Sequence, residues 1–250
     1  MAFNVKVTIQ ETLVELCRGI STGANRIVAR WEPARKQRER KRLAEQLKGQ
    51  SRIHVGCGEI FVPGWLNIGL LPSDRFPYAE MVRAQNGALA LSFDVSDLLP
   101  IENDSLHYIY ASHFIEHLKL ETGITFLKRC YKMLNADGVL RLTFPDMELW
   151  VNKYYENDAA FFEGYKSIYL TPKRARHAQT KGQIFMSQVH GFGHRWNYDF
   201  DSMRNILEKI GFSHITRKGV WESELPDIDR LEPKEAGRIM ETAYVEAHKV

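Results

Sequence analysis

Short apolar segments alternate with longer polar or amphipathic stretches from residue 52 onward, and this alternation constrains the fold more than any other feature of the sequence. Strands that alternate with helices along one chain form a parallel sheet with right-handed crossovers. We therefore predict an α/β domain built on seven strands. Their segments are RIHVG (52–56), WLNIG (65–69), LALSFDV (89–95), LHYIYAS (106–112), GVLRLTF (138–144), HITRKGV (214–220) and TAYVEAHK (242–249).

Two of the segments between strands carry clear helix signals. Residues 114–138 predict an amphipathic helix that ends at Asp137-Gly138, because glycine suits a helix C-terminus. Residues 199–211 predict another helix, with Asp201 as its N-cap. Between them lies an aromatic, glycine-punctuated stretch, which we predict to be an insertion (145–198) on the substrate side of the domain 51–250.

Residues 1–50 are predicted to form an N-terminal helical extension. Apolar side chains recur at helical spacing at Ile9, Leu13, Leu16, Cys17 and Ile20. A strongly charged helix interrupted at Pro33 follows, and its charge is typical of a solvated face. We expect the extension to pack on the domain or on a partner chain, which makes a homodimer one predicted assembly.

The composition excludes several classes of function. A net charge of +3 is too small to indicate nucleic-acid binding. No apolar run approaches the roughly 20 residues needed to span a bilayer, and the first residues lack the features of a secretory signal, so we predict a cytoplasmic protein without a membrane span. The three cysteines form no CxxC pair and are expected to be reduced thiols.

Residues that directly follow the predicted strands are the first candidates for a ligand site, because ligands of open α/β sheets bind at the carboxyl ends of the strands. Gly56, Cys57 and Gly58 follow the first strand, where glycines let the backbone approach a ligand. Asp94 follows the third strand and could accept a hydrogen bond from an adenine amino group, with a turn or capping role as the alternative. The G-x-G pair alone is a weak signal, since the full dinucleotide fingerprint is absent.

Four blocks stand in order along the sequence, HVGCGEIFVPGW (54–65), FDVSDLLPIENDSLHYIYASHFIEHL (93–118), LNADGVLRLTFPDMELW (134–150) and HGFGHRWNYDFDSMRNILEKIGF (190–212). Together they resemble the class I S-adenosylmethionine-dependent methyltransferases, and most nearly the branch associated with sugar and cell-envelope glycan biosynthesis. The resemblance implies a Rossmann-like sheet of seven strands whose last strand is antiparallel, with S-adenosylmethionine as the cofactor.

The resemblance also implies roles for individual residues. The glycine turn at 56–58 would lie beneath the methionine part of the cofactor. Asp94 and Val95 would flank the adenine, and Ser112 and His113 would lie near the reacting methyl group. In the family, the second strand ends in an acid that binds the ribose, and this chain has Gly69 there.

The missing acid has an energetic consequence. A hydrogen bond to a charged group contributes roughly 1.5–3 kcal/mol, so its loss would weaken cofactor affinity about ten- to a hundredfold. Asp74 is a nearby acid that could reach the ribose instead. The sequence therefore leaves two functions open, a methyltransferase and a methyltransferase-like scaffold that has lost cofactor binding.

Methylation of a sugar hydroxyl requires a general base, most naturally histidine. The candidates are His113, His190 and His194, each with a structural hydrogen-bonding role as the alternative. Aromatic and basic side chains around the insertion predict a small-molecule, anionic glycan-precursor substrate, with packing under a loop as the alternative. The candidate substrate-binding residues are His117, Arg174, Arg176, Trp196 and Tyr198.

The string HFIEH (113–117) also matches the HxxEH signature of inverted zinc peptidases. It follows a strand end within a methyltransferase-like pattern, so a peptidase is disfavoured. Glu116 and His117 are expected to cap the following helix, and we predict no metal site. A divalent ion near these two residues is the alternative.

Overall fold

The computed structural model describes residues 37–95, 99–232 and 236–250, the last segment with backbone only at 236–238. The chain divides into two compact units, Met1–Gln46 and Leu47–Val250. In the first unit, the described residues from 37 onward are helical and belong to helix α1 (37–47). The predicted apolar helix and the break at Pro33 lie outside the described residues.

The second unit is a Rossmann-like α/β fold on an eight-stranded mixed sheet with the order β3-β4-β2-β1-β5-β6-β8-β7. Strands β4, β2, β1, β5 and β6 are parallel, while β8 runs antiparallel to both β6 and β7. The expected antiparallel last strand is therefore present. The strands are β1 Arg52–Val55, β2 Leu66–Gly69, β3 Met81–Arg83, β4 Leu89–Ser92, β5 Leu106–Ser112, β6 Leu134–Pro145, β7 Phe212–Lys218 and β8 Thr242–Lys249.

The prediction of seven strands was wrong by one. The additional strand is β3, a three-residue segment that pairs antiparallel with β4 at the edge of the sheet. Its partly exposed residues lack the apolar pattern of the other strands. The connections 56–65 and 70–88 also contain no helix.

Nine helices are described, together with a 3₁₀ turn, Ile115–His117, and in this part of the chain no helix has the length and apolar character needed to cross a membrane. Residues 145–198 contain four of the helices after the end of β6. Beyond α1, the helices are α2 Leu120–Met133, α3 Met147–Tyr155, α4 Ala159–Tyr169, α5 Pro172–Ala175, α6 Lys181–His190, α7 Phe200–Ile210, α8 Ile228–Leu231 and α9 Ala236–Glu241.

Two predicted helix boundaries were wrong. Helix α2 ends at Met133, because Leu134 is extended and pairs with Leu106, so Gly138 lies within β6. Helix α7 is capped by Asp199, whose carboxylate accepts a hydrogen bond from the Ser202 amide at 2.7 Å. Asp201 lies instead in the first turn of α7, where its negative charge interacts favourably with the positive end of the helix dipole.

Helices α3 to α6 have a core of their own, centred on the fully buried Trp150. Its indole ring contacts Phe161 at 4.8 Å and Tyr165 at 4.6 Å, both edge to face. Such pairs add to the stabilisation that burial provides. This aromatic core fixes the helices that carry the loop after α6.

A buried arginine joins the sheet to the segment between β7 and β8. The Arg141 side chain in β6 is fully buried, and it donates to Glu232 at 2.6 Å and to Glu246 at 3.0 Å. It also donates to the carbonyl oxygens of Gly219 and Glu222. Because the guanidinium donates hydrogen bonds to two carboxylates and two carbonyl oxygens, the buried positive charge of Arg141 is compensated.

Replacing Arg141 with alanine should destabilise the fold by about 3–5 kcal/mol, because Glu232 and Glu246 would remain buried without their counter-charge. The measurement is the free energy of unfolding in urea. Arg204→Ala is the matched control, since Arg204 forms an exposed ion pair with Glu208 and its loss should change stability little. Equal effects of the two substitutions would contradict the role given to Arg141.

Candidate functional site

The carboxyl ends of β1, β2, β4 and β5 meet at one edge of the sheet. Gly56 has a φ of +73°, and a Cβ at this position would lie 2.9 Å from the Ser112 carbonyl oxygen and from the Phe114 Cβ. Glycine is thus required because the β1 turn packs directly against the end of β5. Gly58 has a φ of +52° and open space where a Cβ would project, so this side of the turn has room for a ligand.

Cys57 contributes backbone and packing to this turn rather than a reactive thiol. Its amide donates to the Ile68 carbonyl at 3.1 Å, and its side chain packs with Leu71 and Phe76. Burial raises the pKa of the thiol to about 12. The thiol is therefore protonated at neutral pH and unsuited to nucleophilic chemistry.

The end of β2 has space for the acid that the sequence lacks. A Cβ on Gly69 would make ordinary contacts, 3.4 Å to the Cys57 sulfur and 3.6 Å to Leu71 Cδ2. The next residue, Leu70, is 76% exposed and presents an apolar surface at this edge. Asp74 lies exposed in the turn that follows.

The end of β4 is tied to the end of β2, since the Phe93 amide donates to the Gly69 carbonyl at 3.0 Å. The Phe93 ring stacks on Tyr78 with 5.7 Å between centroids. Asp94 and Val95 follow, both partly exposed. The structure therefore brings the predicted adenine-flanking residues next to Gly69.

Ser112 and His113 occupy the junction between β5 and the 3₁₀ turn. The Ser112 side chain is buried and accepts a hydrogen bond from the Thr143 hydroxyl at 3.3 Å. His113 has a φ of +42°, an uncommon conformation for a residue other than glycine. Its ring lies between the Thr242 hydroxyl, 2.8 Å from Nε2, and the Glu116 Oε1 atom, 3.3 Å from Nδ1.

Glu116, His117 and His194 form a cluster, which we call the carboxylate–histidine cluster. One potential ligand atom from each residue lies within 4.8 Å of the other two. The Glu116 side chain is 1% exposed, and the rings of His117 and His194 are 5.1 Å apart, centroid to centroid. His194 reaches Glu116 because the amides of Arg195 and Trp196 donate to the Glu116 carbonyl at 2.7 and 3.2 Å.

The electrostatics keep a negative charge in this cluster. Burial alone would raise the pKa of Glu116, but the adjoining His113 and, less strongly, His117 outweigh it and hold that pKa below the usual glutamate range. Burial lowers the pKa of His194, partly offset by the Glu116 charge. At neutral pH the cluster therefore contains a carboxylate and a neutral His194.

A cleft of about 780 Å³ lies next to the cluster. Arg174 lines it, with its guanidinium 4.8 Å from the centre of the Phe192 ring, and the exposed His190 lines it at the end of α6. The loop after α6 connects cleft and cluster, since Phe192 and Gly193 line the cleft and His194 follows. The polar residues of the lining are Thr171, Lys173, Arg174, His177, Gln183, Ser187 and His190.

The remaining predicted substrate residues have different environments. Arg176 is exposed and is not part of the cleft lining. Trp196 is 43% exposed beside the cluster. Tyr198 is buried against Phe144 at 5.7 Å, so it packs within the protein and does not face a ligand.

A second cavity of about 590 Å³ lies beside Gly58. Its lining comes from the segment after the β1 turn and from the residues flanking β3, and it includes Arg75 and Arg83. It adjoins the open side of the glycine turn.

Sequence reasoning missed two residues that fix the positions of His113 and His194, namely Thr242 and Gln188. Thr242 contacts His113 from 129 residues away, and the carbonyl of Gln188 lies 2.6 Å from the His194 Nδ1 atom. Neither residue belongs to a motif that local sequence patterns reveal. Glu116 was expected to cap the following helix, with a nearby divalent ion as the alternative. The capping prediction was wrong, because Glu116 lies in the 3₁₀ turn and α2 begins after Lys119 without a side-chain cap.

No protein-family model and no curated protein matches this chain. Several solved structures do match it. They include an S-adenosylmethionine-dependent methyltransferase from Archaeoglobus fulgidus (15% identity, 84% of this chain and 94% of that one, TM-score 0.45) and another from Thermotoga maritima (15%, 89% and 94%, 0.45). A third is the phosphoethanolamine N-methyltransferase 2 of Haemonchus contortus, solved with phosphomonomethylethanolamine and S-adenosylhomocysteine (12%, 85% and 53%, 0.45).

Proposed function

We propose that the protein is a cytoplasmic enzyme that transfers a methyl group from S-adenosylmethionine to an oxygen of a sugar, a nucleotide sugar or a phosphorylated glycan precursor. One observation carries the proposal. The four strand ends that the sequence resemblance assigns to the cofactor converge on one edge, with Gly56 against Ser112 and Phe93 bonded to Gly69.

The geometry supports a defined orientation of the cofactor. The methionine part would pass over the open side of Gly58, the ribose would approach Gly69, and the adenine would lie beside Asp94 and Val95, where Leu70 offers an apolar face. The sulfonium would then face Ser112 and His113. Methyl transfer is an in-line displacement, so holding the acceptor oxygen opposite the sulfur can supply much of the rate enhancement.

The acceptor would occupy the cleft next to the carboxylate–histidine cluster. Lys173 and Arg174 favour an anionic substrate, and the exposed Phe192 ring offers an apolar face for a sugar ring. A hydroxyl acceptor must lose its proton, and His113, His117 and His194 gather where that oxygen would meet the methyl group. We therefore assign activation of the acceptor to His113 together with the carboxylate–histidine cluster, and binding of the anionic end of the substrate to the cleft.

Gly69 favours a second candidate function, a methyltransferase-like scaffold without cofactor binding. The absence of an acid at this position removes a charged hydrogen bond to the ribose. Calorimetry with S-adenosylhomocysteine separates the two candidates, because only the enzyme requires binding.

Gly69→Asp should tighten S-adenosylhomocysteine binding about ten- to a hundredfold, since the position accommodates a Cβ and a charged hydrogen bond contributes roughly 1.5–3 kcal/mol. Gly69→Asn is the matched control, with similar size but no charge, and should gain less. Isothermal titration of the three proteins gives the comparison. Absence of binding by both the wild type and the aspartate variant would favour the scaffold.

Arg174→Ala should weaken binding of uridine diphosphate, used as a probe for anionic acceptors, by about tenfold or more, because a hydrogen bond to a charged group would be lost. Arg176→Ala is the control, since Arg176 lies nearby in sequence but outside the cleft lining. Titration calorimetry provides the dissociation constants. If the probe binds equally well to both variants and to the wild type, the cleft does not hold the anionic end.

A further inference from the structure

We propose that Glu116, His117 and His194 form a binding site for one divalent transition-metal ion, with zinc as the best match. The sequence leaves a divalent ion near Glu116 and His117 only as an alternative to no metal site, and the fold adds His194 to them from a separate segment.

The Glu116 carboxylate is buried without accepting a hydrogen bond. It is 1% exposed, and neither of its oxygens has a hydrogen-bond partner among the described residues. His113 Nδ1 lies 3.3 Å from Oε1, but without hydrogen-bond geometry, and Oε2 has no such neighbour. A buried carboxylate that accepts no hydrogen bond is costly even beside a histidine, and buried charges in proteins are paired or coordinate metals. The environment of the Glu116 carboxylate therefore favours the binding of a cation.

A backbone carbonyl holds the imidazole of His194 in an orientation typical of metal-binding histidines. The His194 Nδ1 atom lies 2.6 Å from the carbonyl oxygen of Gln188, so Nδ1 carries the proton and donates it. Nε2 then has a free lone pair. Metal-binding histidines characteristically donate their second ring nitrogen to a carbonyl or carboxylate in this way. The His117 ring lies beside this ring at 67° to it, and one nitrogen of each ring lies within 4.8 Å of a Glu116 oxygen.

Backbone hydrogen bonds hold the three proposed ligands in place. Glu116 and His117 are neighbours in the 3₁₀ turn, and the Glu116 carbonyl receives the amides of the two residues that follow His194. Ligand atoms that share one tetrahedral zinc ion lie about 3.3 Å apart. With all three atoms already within 4.8 Å of one another, small side-chain rotations suffice to bind an ion.

The donor set selects the ion. Two imidazole nitrogens and one carboxylate oxygen suit zinc and other first-row transition ions, whereas calcium and magnesium prefer oxygen ligands alone. Three protein ligands leave a coordination position open, as in catalytic zinc sites. The open coordination position would bind the acceptor oxygen, since His194 adjoins the cleft through Phe192 and Gly193. This assignment rests on the proposed function.

The test is direct titration of the full chain with metal after treatment with a chelator. Co²⁺ serves as the spectroscopic probe and Zn²⁺ as its competitor, and the purified protein is analysed for metal content. We expect one Co²⁺ per chain with visible absorption bands, displaced by Zn²⁺. His194→Ala and His117→Ala should each lower the affinity at least about tenfold, and His190→Ala, the control, should not.

Glu116→Gln addresses the risk that a variant fails to fold. Zinc should raise the melting temperature of the wild type and leave that of Glu116→Gln unchanged, while a cooperative melting transition of the metal-free Glu116→Gln protein shows that the variant is folded. Absence of Co²⁺ bands, or equal metal affinity in all variants, would overturn the proposal.

A separate binding experiment distinguishes failure of the metal-site proposal from failure of the proposed function. S-adenosylhomocysteine should bind equally well to the metal-free protein and to His194→Ala, since neither change touches the strand ends. Metal binding without S-adenosylhomocysteine binding would leave the metal site standing and overturn the methyltransferase.

Discussion

The candidate site depends on one backbone contact, the acceptance of the Arg195 and Trp196 amides by the Glu116 carbonyl. This contact joins the turn after β5 to the loop after α6, which otherwise belong to distant parts of the chain. On one side of the loop, Phe192 and Gly193 line the cleft. On the other, His194 meets Glu116 and His117. The contact thus places the proposed acceptor site next to the strand ends where the methyl donor is proposed to bind.

Two buried carboxylate environments in the same domain differ in a revealing way. Glu246 and Glu232 surround Arg141, and its remaining donors reach backbone carbonyls, so that both buried carboxylates accept charged hydrogen bonds from one guanidinium. Glu116 has no comparable set of donors. Natural sequences satisfy buried polar groups in structural regions and leave exceptions mainly where function requires them. The contrast supports a structural role for Arg141 and a binding role for Glu116.

The sequence predicts most of the sheet because its signal is local. Strand β8 matches the predicted segment 242–249 residue for residue, since buried strands show in the apolar pattern. The short strand β3 and the end of α2 could not be predicted, because pairing with β4 and β5 decides them. The same holds for the site. Gly56 was found through its place after a strand, whereas the meeting of His194 with Glu116 depends on tertiary contacts.

The residue at position 69 matters for the proposed cofactor affinity rather than for the fold. The backbone there has ordinary geometry and space for a side chain, so the fold itself does not require glycine. Its effect would therefore be on the affinity for the cofactor, without a change in the structure of the strand end. Cys57 beneath it is a packed thiol, which leaves the backbone of the turn and the open side of Gly58 as the surface offered to a ligand.

The most direct test of the central claim is a crystal structure of the protein with S-adenosylhomocysteine. The account predicts a nucleoside beside Asp94 and Gly69, with the sulfur atom facing Ser112 and His113 and directed toward the cleft. Density for the ligand at another surface, or none at saturating concentration, would contradict it.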